Sequence, residues 1–97
     1  MKPKKIKLNK FTDERGYLLE LLPKKFKNIF KYSIITSSKK NVIRGLHYDK
    51  LLNEKKLIYV LKGEILDITV NVKKKKEIYY NKLKEGDALF IPSEFAH

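Results

Sequence analysis

Apolar and polar residues alternate along much of this chain in short runs, the period of a strand with one wet and one dry face. Ile6 and Leu8 alternate with lysines, which predicts an edge strand, and Phe11-Thr12-Asp13-Glu14-Arg15-Gly16 follows as a turn carrying charge. Tyr17 to Leu22 is apolar enough to predict a buried segment, stopped by Pro23. Phe26, Ile29 and Phe30 have the spacing of a brief helical turn. Tyr32 to Thr36, β-branched and aromatic, predicts a further strand that ends in the polar loop Ser37 to Asn41.

Val42 to His47 predicts the next strand, and Asp49 to Lys55 a polar loop. Lys56 to Lys62 and Glu64 to Val72 are strongly β-forming runs joined at Gly63, the clearest hairpin signal in the chain. Within the second run Leu66, Ile68, Val70 and Val72 share one face and Ile65, Asp67, Thr69 and Asn71 the other, which predicts a sheet with a dry side and a functional side. Lys73 to Lys76 reads as an exposed turn, Glu77 to Leu83 as a strand, Glu85-Gly86-Asp87 as a tight turn, and Ala88 to Ile91 as a last strand stopped by Pro92. Short strands at regular spacing, with no long helical pattern and no internal repeat, predict an all-β sandwich or barrel.

The length of 97 residues predicts one domain, 1–97, near the lower limit of what sustains its own core, so help from a second copy is expected. The strands of 1–22 are the natural place for it, because the lysine-guarded segment at Ile6 to Leu8 offers an edge. Cysteine is absent, Met1-Lys2-Pro3-Lys4-Lys5 lacks an apolar leader, and no run approaches the roughly 18 apolar residues of a membrane span. These features predict a cytoplasmic protein with no membrane partner.

Charge changes the picture through two residues only. The net charge is +12, but 21 of the 23 cations are lysines scattered along the chain, as on a solvated surface. Clustered arginines and an exposed aromatic platform are missing, so nucleic acid is not the expected partner. Arg15 and Arg44 each stand immediately before a glycine, and arginine is the side chain whose planar fork binds phosphate bidentately. Both are read as diphosphate ligands.

Arg44 also opens the densest chemistry in the chain, Arg44-Gly45-Leu46-His47: a guanidinium, a glycine and an imidazole, suited to holding an anion and moving a proton. Arg44 and His47 are three apart, which on a regular strand sends them to opposite faces. Service in one pocket would require a bulge or kink at Gly45, or a reach by Arg44 into a neighbouring subunit.

These residues carry a family resemblance. Gly63-Glu64 after an apolar strand, then Gly86-Asp87-Ala88-Leu89-Phe90-Ile91-Pro92 and Phe95-Ala96-His97, resemble the two motifs of a small jelly-roll, the cupin. Among cupins, Arg44 to Tyr48, Lys56-Leu57, Pro92 to His97, and Asp13 to Gly16 with Glu20 resemble the dTDP-4-dehydrorhamnose 3,5-epimerases, in order and over nearly the whole chain. Metal-binding cupins place a glutamate seven residues before the hairpin glycine; here Lys56 stands there, and an ammonium repels a divalent cation. No catalytic metal and no other cofactor is therefore expected.

The resemblance implies epimerisation beside the ketone of a dTDP-linked 4-keto-6-deoxy sugar, as in rhamnose and surface-polysaccharide biosynthesis. It makes His47 the base, Lys56 the cation at the developing oxyanion, and Arg15 and Arg44 the diphosphate anchors. Glu20 would contact the nucleotide, often across a homodimer, and His97 would line the sugar-diphosphate pocket. Apart from the resemblance, Asp67 on the neighbouring strand is read as an acid that orients His97. Relatives continue beyond the position of His97 and there supply a tyrosine acid and an aspartate that orients the base; neither is assigned in this sequence, and Tyr48, Tyr59, Tyr79 and Tyr80 are the tyrosines open as substitutes for the acid. A non-catalytic nucleotide-sugar-binding cupin is the alternative, and nucleic-acid binding through the lysine surface is placed last.

Overall fold

The computed structural model describes residues 1–51 and 53–97. Its regular structure is nearly all strand: β1 (Lys4–Ile6), β2 (Lys10–Asp13), β3 (Gly16–Leu19), β4 (Lys56–Tyr59), β5 (Glu64–Asn71), β6 (Ile78–Lys84), β7 (Ala88–Ile91) and β8 (Phe95–Ala96). The helical turn is a 3-10 turn at Lys24–Phe26, where the Phe26 N–H donates to the Pro23 carbonyl. Among the described residues no helix is long and apolar enough to cross a membrane.

Every strand pairing is antiparallel. One sheet runs β1-β7-β4 and a second runs β6-β5-β8, while β2 and β3 pair only with each other. Val60, Leu83, Leu89, Ile91 and Phe95 form the core, with Ile58 and Tyr79 packed against it. These residues come from both three-stranded sheets, so the core lies between them. Alternation along β7 sends Phe90 to the opposite face. There its ring stacks on Phe26 with centroids 5.2 Å apart, while Phe30 meets both rings edge-on. β7 is thus covered on both sides, which is why Ala88 to Ile91 reads as an unbroken apolar run.

The structure corrects the sequence reading at five places. Gly63 does not close a hairpin: β4 pairs with β7, and β5 pairs with β6 and β8, so the chain passes from one sheet to the other at Gly63. The true hairpin is β5–β6 across Lys73 to Lys76. Tyr32 to Thr36 and Val42 to His47 form no strand. Both have strand-forming residues, but a ladder needs a run of paired neighbours, and among the described residues the main-chain bonds that tie these two segments to a distant part of the chain are those of His47 with His97. Tyr17 to Leu22 is not buried: Tyr17, Leu18, Leu21 and Leu22 are exposed, and β2 and β3 pair with no other strand among the described residues.

The fifth correction concerns β5. Its alternation is as read, but burial is reversed: Asp67, Thr69 and Asn71 are buried, whereas Leu66 and Ile68 are exposed. The polar side faces the interior between the sheets. The loop expected over Asp49 to Lys55 is present at its described residues, and Leu52 lies outside them.

Candidate functional site

β8 brings the chemistry together. Val70 opposes Ala96 and Asn71 opposes Phe95, so continued register places His97 opposite Thr69. Directly opposed residues share a face, and alternation adds Asp67 to that side. His97 Nδ1 accordingly lies 2.8 Å from Asp67 Oδ2. A carboxylate oxygen only accepts, so Nδ1 is the donor of this contact. Asp67 is 7% exposed, and its second oxygen, Oδ1, is buried with no partner among the described residues. That oxygen is an acceptor awaiting a donor.

The other histidine is drawn to the same place by the backbone. The His47 N–H donates to the His97 carbonyl at 2.7 Å, and the His97 N–H donates to the His47 carbonyl at 3.2 Å. Reciprocal bonds between two residues define an antiparallel hydrogen-bonded pair, with Cα atoms about 5.5 Å apart and side chains on one side. The only two histidines of the chain, fifty residues apart, are therefore neighbours.

Lys56 approaches from the opposite sheet. It opposes Ile91 on β7, as Ile58 opposes Leu89. Register and alternation put Lys56 on the face of β4 that holds Ile58 against the core, the inner face between the sheets. It is half-buried.

The remaining residues singled out from the sequence lie elsewhere. Arg15 sits at the tip of the β2–β3 hairpin, with Nη2 at 2.6 Å and Nε at 3.2 Å from Asp13 Oδ2, while its backbone N–H donates to Asp13 Oδ1 at 2.8 Å. These bonds hold the Asp13 carboxyl below the usual carboxylate range, the guanidinium contributing most. Arg44 folds onto its own loop, with Nε donating to Ser38 Oγ at 2.6 Å and Nη2 to the Ser37 carbonyl at 3.0 Å. Glu20 Oε2 receives Asn9 Nδ2 at 3.4 Å. The structure thus joins His47, His97 and Asp67, turns Lys56 toward their side of the core, and leaves both arginines at the surface.

Two features escaped the sequence reading. Ser38 is the partner of Arg44, legible only as a hydroxyl six residues upstream in a polar loop. Phe11 and Tyr17, with Leu18, flank Arg15 in an open hollow of about 440 Å³ on the hairpin. Aromatics on both sides of a charged turn were the available signal. Among the described residues no three His, Asp or Glu side chains are grouped as a metal site.

An antiparallel β-sandwich with Asp67 buried between its sheets and His97 held against it is an all-β, cupin-like domain. Residues 3–97 match the family model described as dTDP-4-dehydrorhamnose 3,5-epimerase, and the chain belongs to that family. A dTDP-4-dehydrorhamnose 3,5-epimerase of Methanothermobacter thermautotrophicus is 31% identical over 99 residues, covering 90% of this chain and 54% of the relative. One from Salmonella typhimurium is 32% identical over 101 residues, covering 90% and 55%. One from Neisseria gonorrhoeae is 29% identical over 106 residues, covering 97% and 32%. The chain spans from a third to just over half the length of these relatives. No solved structure matches it significantly.

Proposed function

We propose that the chain acts on a dTDP-linked 4-keto-6-deoxy sugar and inverts a carbon beside the ketone. The observation that carries this reading is the joined set of the exposed His47, the half-buried His97 and the buried Asp67, with Lys56 on the inner face of the opposite sheet. The family membership agrees with it.

In this reading the His47 imidazole takes the proton from the carbon next to the ketone. The C–H electron pair moves into the C–C–O unit, and negative charge collects on the ketone oxygen. The Lys56 ammonium stabilises that oxygen, where charge placed in advance acts most strongly. A proton returned to the opposite face of the carbon completes the inversion. Positioned proton transfer of this kind contributes roughly 10²–10⁴-fold. His97 lines the sugar side of the pocket, with Asp67 fixing its tautomer.

Arg15 and Arg44 anchor the diphosphate. Arg44 would exchange Ser38 Oγ and the Ser37 carbonyl for phosphate oxygens, which offer charge as well as geometry. Arg15 stands beside a hollow lined by Phe11 and Tyr17, suited to a nucleotide base. Glu20 adds a nucleotide contact. The protein would work in the cytoplasm as a homodimer of single domains spanning 1–97, with the strands of 1–22 taking part in pairing. It would need no cofactor and bind neither nucleic acid nor membrane. β1 lies at a sheet edge with one side open, which suits such pairing.

The test is NMR of the dTDP-linked 4-keto-6-deoxy sugar in heavy water with this protein. Deuterium should enter at the inverted carbon and should not do so with His47→Ala. A second reading, a domain that binds the nucleotide sugar without turnover, is favoured by one observation. Both guanidinium groups are held on acceptors of their own loops, apart from the histidines. Tight dTDP binding with no deuterium incorporation would select it.

A further inference from the structure

The geometry points to Gly45 as the residue that positions the histidine pair, through an approach that any side chain would block. This inference rests on reading His47 and His97 as groups of the site. Three observations converge on it. Gly45 has φ +99°, a conformation that side-chain-bearing L residues rarely adopt. A Cβ at Gly45 would come within 2.7 Å of the His97 carbonyl oxygen, closer than real Cβ contacts allow, and that atom is backbone. The same Cβ would stand 3.3 Å from both the His47 N and His47 Nδ1.

The atom that a methyl would displace is the acceptor of the bond pairing the two histidines. His97 O receives the His47 N–H at 2.7 Å. A side chain at Gly45 would therefore meet both partners, the ring of one and the carbonyl of the other. Pushing the carbonyl away would open the pair, and shifting the ring would turn His47 from its place. The same residue redirects the chain, so that Arg44 can lie back on Ser37 and Ser38 while His47, three residues later, meets His97. Arg44 and His47 need not share a strand face, because no strand runs through them.

The roles divide clearly. Asp67 acts on the His97 ring, whereas Gly45 acts on the main-chain pair beneath both rings. A loss at Asp67 would alter the tautomer without opening the pair. A loss at Gly45 would open the pair and leave the Asp67 contact to His97 as the remaining tie.

Gly45→Ala tests this, read first without any ligand. Amide hydrogen exchange of His47 should accelerate about tenfold or more, with the β5–β6 amides unchanged. Equal protection of His47 in both proteins would overturn the proposal. Should the variant also lose β5–β6 protection, the wild type decides: a nuclear Overhauser contact between a Gly45 α-proton and the His47 ring supports the assignment, and its absence overturns it. In the deuterium-incorporation assay kcat should fall about 10²-fold with KM changed by less than about twofold, since misplacement by an ångström costs that much. Unchanged kcat would overturn the positioning role. Wild type that incorporates no deuterium would refute the catalytic reading alone, because the exchange comparison judges Gly45 without substrate.

Discussion

Segment 32–47 and segment 78–91 both contain β-branched and aromatic residues, yet they end in opposite states. Ile43 is 94% exposed and Ile35 82%, in backbone with no ladder, while Leu89 and Ile91 lie in strand β7 with almost no surface. The difference is not propensity but neighbours. β7 has β1 on one side and β4 on the other, the second sheet over one face and Phe26 over the other. Segment 32–47 is tied to the sandwich at its end, where His47 clips to His97. A strand is a pairing relation, and its residues supply only half of it.

The sharpest way to break this comparison is to cut a side chain from each region. Leu89→Ala should lower stability by about 2–5 kcal/mol through lost burial and the cavity left behind. Ile43→Ala should move it by no more than about 0.5 kcal/mol. Urea unfolding of both variants measures the difference. Comparable losses would show that segment 32–47 is packed in solution.

Chemistry should divide between the regions in the same way. Asp67→Asn removes the charge beside His97 within the sandwich and should slow deuterium incorporation by about 10²-fold, with an altered pH profile. The nitrogen shifts of the His97 ring should report the changed tautomer. Arg44→Ala, in the exposed segment, should weaken dTDP binding by about 10- to 100-fold, as expected for lost hydrogen bonds to a charged ligand. Ser38→Ala should leave that affinity within a few-fold, since Ser38 only holds the guanidinium in the absence of phosphate. Calorimetric titration separates the two, and equal losses would make Ser38 a ligand in its own right.

The smallest effect is an electrostatic one at the start of β7. Asp87 is held below its ordinary value of 3.8, chiefly by the Lys84 N–H and, against the opposing effect of burial, by Lys5. A carboxylate with a lowered folded-state pKa stabilises the fold above its unfolded pKa, and the contribution disappears as pH falls through the folded value. Asp87→Asn should thus be slightly less stable than wild type at neutral pH, and the gap should narrow from about pH 4 downward. A gap that persists undiminished into acid would assign the role of Asp87 to packing rather than charge.

Much of this was legible beforehand because it depends on local rules. The turns at Lys73 to Lys76 and at Glu85 to Asp87, the stop at Pro92 and the alternation along β5 follow from residues a few positions apart. Which face of β5 would be covered did not. Alternation distinguishes two sides, and aliphatics normally mark the inner one; here Leu66 is 59% exposed and Asp67 is inside. Gly63 misled for a related reason, since a glycine between two strands suits a crossing between sheets as well as a turn within one.

For the site, the sequence by itself determined the chemical inventory: two imidazoles, a lysine seven residues before Gly63, and two arginines that each precede a glycine. Only the tertiary structure decided which of them meet. It sets His47 beside His97 through two main-chain bonds, Asp67 against His97, and Arg15 and Arg44 on acceptors in their own loops. The physical reason is distance along the chain. Contacts across a few residues are written in local backbone preference, whereas contacts across fifty depend on how sheets pair and which faces they close upon.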